Sequence, residues 1–222
     1  MMEWNEAMKQ RHSVRQYTDR PIEEETLKAL QSEIEACNRE SGLHMQLITN
    51  EPQAFDSFMA HYGKFSGVKN YIALIGPKSD ALEEKCGYYG ERLVLRAQQL
   101  GLNSCWVAMT YKKVPGVFQV KSGEKLAMVI ALGYGCNQGT AHTSKRPEQV
   151  SELRADSPDW FRAGVEAALL APTAMNQQKF MLKCDNGVVS ARAGLGFYAK
   201  VDLGIVKYHF ELGAGKENFR WK

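Results

Sequence analysis

Arg11-His12-Ser13-Val14-Arg15 is the stretch on which the reading of this chain turns. Two guanidinium groups four residues apart flank a hydroxyl. An amphipathic run from Trp4 to Gln10 leads into them, and a polar arm, Tyr17-Thr18-Asp19-Arg20-Pro21, follows. Arginine suits planar, bidentate capture of a phosphate, and a neighbouring serine adds a short donor. Such a cluster can hold a terminal phosphate while its second arginine reaches a ring carbonyl further in. By spacing alone the same residues also describe a solvated basic end of a helix, favourable to the helix dipole.

Outward from this arm, the local signals alternate helix and strand. Glu3 to Gln10 reads as a first helix. Pro21 opens a second, with Glu23, Glu24 and Glu25 in its first turn and Leu27, Leu30, Ile34 and Cys37 on one face; Ser41-Gly42 stops it. His44 to Thr49 reads as a strand, Pro52 to His61 as a helix, and Tyr62 to Gly67 as a loop. Tyr71 to Ile75, closed by Gly76-Pro77, is a short continuous apolar run of the kind that forms a buried strand. Asp80 to Leu100 is a long helix capped by Gly101. Ser104 to Met109 is apolar, and Leu126 to Leu132 is the most hydrophobic strand. Pro147 opens a short helix. Ser157-Pro158-Asp159 predicts a helix start, with serine as cap, and that helix runs to Ala171 before Pro172. Phe180–Cys184 and Val188–Arg192 read as a hairpin around Asp185-Asn186-Gly187, and Asp202 to Leu212 as a last helix closed by Gly213.

The totals narrow the function. Net charge is +3 from 28 basic and 25 acidic residues, with no block of one sign, which argues against nucleic acid as the partner. The five cysteines are odd in number and lack a Cys-x-x-Cys pair, so neither a disulfide framework nor a zinc site is expected. No metal site is expected. No secretory signal is visible at the N-terminus and no apolar run reaches the roughly 20 residues of a membrane span. A cytoplasmic protein with reduced thiols, without membrane contact, is the expectation. There is no Gly-x-Gly-x-x-Gly after a strand and no Walker sequence.

The arm, followed by Pro21-Ile22 and a Glu-led helix, resembles the opening of the flavin-dependent nitroreductase family. A second motif strengthens the likeness. Ala171-Pro172-Thr173-Ala174-Met175-Asn176-Gln177-Gln178 resembles that family's Ala-Pro-Ser-Ala-x-Asn-x-Gln-Pro-Trp loop, with Lys179-Phe180 in place of Pro-Trp. The family normally carries this loop after its first long helix, where Asn38 to Gly42 here does not match. The motif has moved to the second half, as in a smaller single-chain subfamily with an internally duplicated fold. Gly101-Leu102-Asn103-Ser104-Cys105-Trp106-Val107 resembles the family's Gly-Leu-Gly-x-x-Trp-x stretch, and Lys145-Arg146 its basic pair after the penultimate strand.

The resemblance implies an α+β sandwich with a central, mostly antiparallel sheet flanked by helices. It implies a single domain over residues 1–222, with half-repeats 1–150 and 151–222 forming an internal pseudo-dimer. Two weak echoes within the chain agree: helix, polar loop and strand around Leu27–Asn50 recur around Trp160–Asp185, and Arg92 to Gly101 recurs as Gly204 to Gly213, both ending Leu-Gly. The implied cofactor is FMN, with NAD(P)H as co-substrate and a nitroaromatic or quinone-type electron acceptor. The implied cofactor-binding residues are Arg11, His12 and Ser13 at the phosphate and Arg15 near flavin N1 and O2. Trp106 and Val107 lead to a backbone donor to N5 near Ala108 or Met109. Lys145 and Arg146 complete the phosphate site, and Pro172, Thr173, Ala174, Asn176 and Gln178 lie at the ring edge. Amide side chains carry both donor and acceptor, as a uracil-like edge requires. Tyr62, Lys64 and Phe65 fall where relatives place residues beside the flavin or substrate. No catalytic side chain is expected, since the flavin carries the chemistry. The expected state is a monomer or a loose homodimer. The competing readings are a non-catalytic flavin-binding or storage protein on the same fold, and an enzyme with other flavin chemistry, such as dehalogenation or cofactor fragmentation.

Overall fold

The computed structural model describes residues 2–222. They divide into two compact units, one of residues 10–82 and 93–141, the other of residues 2–9, 83–92 and 142–222.

The first unit is built on a sheet of four strands. β1 (Gln46–Ile48), β2 (Asn70–Pro77), β3 (Asn103–Val107) and β4 (Glu124–Gly133) lie in the order β1-β2-β4-β3, each pair antiparallel. β2 and β4 are interior strands. β2 is therefore buried without a break from Tyr71 to Gly76, which is why its sequence is a continuous apolar run instead of an alternating one. Ile72 faces Ile130 in the register, and a bulge sits between Leu74 and Ile75. Tyr71, Ala73, Ile75, Val129, Ala131, Cys105 and Val107 share a core with Val14, Tyr17, Phe55 and Phe65. Helix α2 (Glu24–Ser41) buries Leu30, Ile34 and Cys37, one helical face, as the spacing predicts. It ends at Gly42, where φ is +71° and the N–H donates to Asn38 O at 2.9 Å.

One helix is shorter than expected. Only Phe58–Tyr62 (α3) is helical, with Ser57 accepting from Ala60 N. Residues before it are turned instead by the Glu51 carboxylate, which accepts from Gln53 N at 2.8 Å and Ala54 N at 3.1 Å and from the Tyr71 hydroxyl at 3.2 Å. A buried side chain competing for main-chain donors overrides local helix propensity there.

The second unit has helices α5 (Asp159–Ala168) and α6 (Ala199–Ala214) packed together. Its own sheet has β5 (Phe180–Asp185) and β6 (Val188–Ala193) antiparallel and β7 (Arg220–Trp221) parallel to β6. The hairpin turns at Asn186 (φ +48°) and Gly187 (φ +75°), the paired positive φ that Asn-Gly supplies. The start of α5 differs from the sequence reading. Asp159 is the first helical residue and Pro158 precedes it, while the Ser157 hydroxyl accepts from Arg154 N at 2.9 Å. The serine closes the preceding turn, not the helix. α6 is buried on nearly every side, and it ends at Gly215 (φ +75°), not Gly213, whose backbone lies against Ala163 and Ala167 of α5. β7 carries no local signal because only pairing with β6 defines it.

Helix α4 (Leu82–Gln99) places residues 83–92 in this second unit, where they cross α6. A Cβ on Gly87 would lie 2.0 Å from Val201 O, and one on Gly204 would lie 2.0 Å from Glu84 O. The contact is reciprocal: each glycine meets the carbonyl three residues before the other. This is the isologous form that a two-fold axis produces, here within one chain. The crossing pairs Gly87 with Gly204, not the two Leu-Gly helix ends. Around it, His209 Nε2 lies 2.9 Å from Glu91 Oε1, and the Tyr88 hydroxyl donates to Glu211 Oε2 at 2.7 Å. Among the described residues no helix is long and apolar enough to cross a membrane.

Replacing Gly204 by alanine drives a methyl group into main chain. The expected cost is about 2–3 kcal/mol of unfolding free energy in urea, by overpacking at a contact that cannot relax.

Candidate functional site

The arm is threaded into the first unit by its backbone. Val14 N donates to Ser104 O, Tyr17 N to Ser66 O, Ser66 N to Arg15 O, Thr18 N to Tyr134 O, and Cys136 N to Gln16 O, all at 2.8–3.0 Å. Ser13 bridges Ser104 in parallel fashion, so the arm joins the outer edge of β3 at that residue. Glycines make room. A Cβ on Gly67 (φ +69°) would sit 2.2 Å from Tyr17 O, and one on Gly135 would sit 2.8 Å from Val14 Cγ1. Tyr17 anchors the centre. Its buried hydroxyl donates to Val14 O at 2.7 Å, and burial first, then the nearby Cys105, raises its pKa well above the usual phenol range, against the lowering effect of Arg15.

The predicted residues of this unit gather as follows. Arg11 is buried, His12 and Ser13 are half-buried, and Arg15 is exposed. The backbone of residue 139 lies against His12, where a Cβ on Gly139 would meet His12 Cβ at 2.7 Å. The Ser13 hydroxyl bonds the buried Cys105 thiol. Burial pushes that thiol up, while Arg15, Ser13 and Arg11 pull it down. The Arg15 guanidinium stands 6.0 Å from the centre of the buried Phe65 ring, and among the described residues no carboxylate pairs with it. Trp106 and Val107 are in β3, as expected of strand residues. Ala108 and Met109 follow in an irregular turn, with Met109 exposed and, among the described residues, its amide taken by no backbone carbonyl. The arrangement is a rigid strand edge presenting a positive charge beside an aromatic face.

Lys145, Arg146 and the late loop belong to the second unit, where most of the polar side chains bond within the loop and its neighbours. The Gln178 amide is buried and saturated: its Oε1 accepts from Lys145 N at 2.8 Å, and its Nε2 donates to Thr143 O at 2.9 Å and Asn176 Oδ1 at 2.8 Å. Asn176 Nδ2 donates to Thr143 O at 2.9 Å. Lys145 Nζ donates to Gln177 O and Gln178 O, both at 2.9 Å, so its ammonium caps loop carbonyls instead of a phosphate. Thr173 Oγ1 accepts from Gln178 N at 3.0 Å. Arg146 stays exposed, and its backbone N–H donates to Gln149 Oε1. Pro172 and Ala174 are half-buried, and Met175 is 80% exposed. Met175 (φ +51°), Asn176 (φ +52°) and Gln178 (φ +45°) are all left-handed, costly for residues with a Cβ. The amides thus hold the loop's own shape.

Asp202, which no motif singles out, completes that scaffold. It lies in the first turn of α6 and is buried. Its Oδ1 accepts from Ala174 N at 2.9 Å and its Oδ2 from Gln177 Nε2 at 2.7 Å. Burial raises its pKa from 3.8 to about 6, against those two hydrogen bonds. The native state therefore holds this proton more tightly than the unfolded chain does. The ionised form is a stability cost at neutral pH, relieved as pH falls through about 6 towards 3.8.

Solved structures supply the wider context. A "putative nitroreductase" from Thermotoga maritima aligns with a TM-score of 0.66 at 22% identity, covering 97% of this chain and 85% of that one. A "putative nitroreductase in complex with FMN" from Desulfovibrio desulfuricans aligns at 0.54 and 17% identity over 71% of this chain and 99% of that one. A "putative NADH dehydrogenase/NAD(P)H nitroreductase" from Parabacteroides distasonis aligns at 0.53 and 21% identity, with the same coverage. A search of the curated proteins found no match. At these identities the likeness defines a class by its fold, the α+β nitroreductase fold. The chain belongs to the family described as "Putative TM nitroreductase", whose model matches residues 3–214.

Two measurements check the local chemistry. Tyr17→Phe strands the Val14 carbonyl and is expected to cost about 1–2 kcal/mol in urea unfolding. The Asp202 shift, from 3.8 to about 6, corresponds to about 3 kcal/mol. Between pH 7 and pH 4, where most of that proton uptake falls, the unfolding free energy of the wild type should rise by about 2–2.5 kcal/mol relative to Asp202→Asn.

Proposed function

We propose that this chain is an FMN-dependent oxidoreductase that draws on NAD(P)H and passes electrons to a nitroaromatic or quinone-type acceptor. When bound, FMN supplies the redox chemistry, taking hydride at N5. Family membership supports the reading, as do the relatives whose names carry FMN and NAD(P)H. The observation that carries it is the exposed Arg15 guanidinium on a backbone fixed at both edges and beside Phe65.

The residues of the arm suit an anionic, planar cofactor. Arg11 and Ser13 are assigned to its phosphate. Arg15 is assigned to the N1 and O2 side of the ring, where a fixed positive charge favours added negative charge. The main-chain donor to N5 is assigned to the amide of Ala108 or Met109. Of the late segment, Pro172, Thr173 and Ala174 are assigned to contact at the ring edge. Asn176, Gln178 and Lys145 are assigned to holding the loop, since their polar atoms are already engaged. No side chain need give or take a proton.

Arg15→Ala should weaken FMN binding by about 1–2 kcal/mol, roughly tenfold in Kd, and lower the midpoint potential of the bound flavin. Fluorescence titration and spectroelectrochemistry read the two effects. Unchanged values would remove Arg15 from the site, and bound flavin without NAD(P)H turnover over a panel of acceptors would favour a storage protein. The protein is proposed to act as a monomer, which the reciprocal Gly87–Gly204 crossing supports. Size-exclusion chromatography with flavin stoichiometry should give one FMN per monomer; an obligate dimer would overturn this.

A further inference from the structure

We propose that Asp202 is a positioning residue: its carboxylate fixes the Thr173–Gln178 loop in the strained shape that leaves Met175 exposed. The step from loop shape to cofactor rests on the FMN reading above; the step from Asp202 to loop shape does not.

The loop's geometry is unfavourable by itself. Three residues with side chains, Met175, Asn176 and Gln178, adopt positive φ within four positions. Such conformations persist only where the surroundings over-determine them. Asn176, Gln178, Thr143 and Lys145 supply part of that constraint, from the loop and from the segment before the short 3-10 turn at Pro147. Asp202 supplies the part that ties the loop to a helix. One oxygen takes the amide of Ala174, the first residue of the turn. The other takes the Gln177 side chain, which also donates to Phe197 O at 2.8 Å. One carboxylate therefore fixes both ends of the turn and, through Gln177, the connection that leads into α6. Gly196 is matched to this node, since a Cβ there would lie 2.3 Å from Gln177 Oε1.

A carboxylate is required because both partners are donors. Asparagine turns one acceptor into a donor facing a donor. The charged groups around Asp202 are few. Lys145 sits on the carbonyls of Gln177 and Gln178, the Lys179 stem lies against Gly196, and Lys200 is exposed on the same helix. Among the described residues none of these pairs with the carboxylate. Two loop donors and the N-terminal turn of α6 are what the buried charge meets among the described residues, so its ionisation and the shape of the loop are linked.

Amide hydrogen exchange on full-length protein tests the positioning role without cofactor. The exchange of residues 171–178 is read relative to the β5–β6 hairpin. At pH 7, Asp202→Asn is expected to speed it about tenfold or more, the loss of a hydrogen bond to a charged group. Gln177→Ala, at a half-buried position, should speed it in the same segment. Because the closed loop holds the Asp202 proton more tightly than a solvated carboxylate does, the wild-type ratio should fall as pH drops below 6 and the Asp202→Asn ratio should not. Unchanged loop exchange in both variants, or a pH profile shared by wild type and Asp202→Asn, would overturn the proposal. FMN titration then reads the consequence. If the loop loosens and Kd rises about tenfold, loop and cofactor are coupled. If the loop loosens and Kd is unmoved, Asp202 still positions the loop, and it is the loop's place in the flavin reading that fails.

Discussion

Main-chain pairing of the arm holds the first unit's candidate site in place. Residues 13–14 meet β3 at Ser104, and residues 15–18 run between the Ser66 and Tyr134–Cys136 segments, closing hydrogen bonds on both sides. An edge strand otherwise offers unpaired donors and acceptors to any passing chain. The Ser13–Ser104 bridge takes up one position of that edge, and the pairing as a whole gives Arg11, Ser13 and Arg15 a rigid base. A charge on a rigid backbone loses little entropy on meeting an anion, so its interaction is available for binding.

Glycine appears where backbones must touch. Gly67 and Gly135 admit the arm, and Gly87 and Gly204 admit one helix to another. At each, the neighbour is main chain or a fixed core side chain, so a methyl group has nowhere to go. The helix crossing has a further consequence. Its reciprocity brings together the polar groups Tyr88, Glu91, His209 and Glu211, which are buried or half-buried and bonded to one another. Buried polar groups in such a cluster must all find partners, and this fixes the register in which the helices meet.

The late loop shows a different economy. Its amides, placed by motif at a cofactor's edge, are engaged with Thr143, Lys145 and each other, and Asp202 takes what remains. A loop of left-handed residues needs that internal scaffold before it can present anything outward. The motif is therefore a recipe for a shape, and the side chains that make it recognisable are spent on maintaining it.

The local sequence determined a good deal. Alternation, apolar runs and turn residues placed α2, β2, α4, β4 and the Asn186-Gly187 hairpin, because each depends on contacts a few residues apart. The Arg11–Arg15 and Ala171–Gln178 motifs marked the two segments of interest and the family. Tertiary structure decided the rest. It shortened α3, because Glu51 took the main-chain donors that helix would have used. It created β7, which exists only as a partner of β6. It turned Gln178 and Lys145 inward, and it made Asp202 matter by burying it under a loop 28 residues away in sequence. A carboxylate in the first turn of a helix looks like any other until folding decides which donors come to rest beside it.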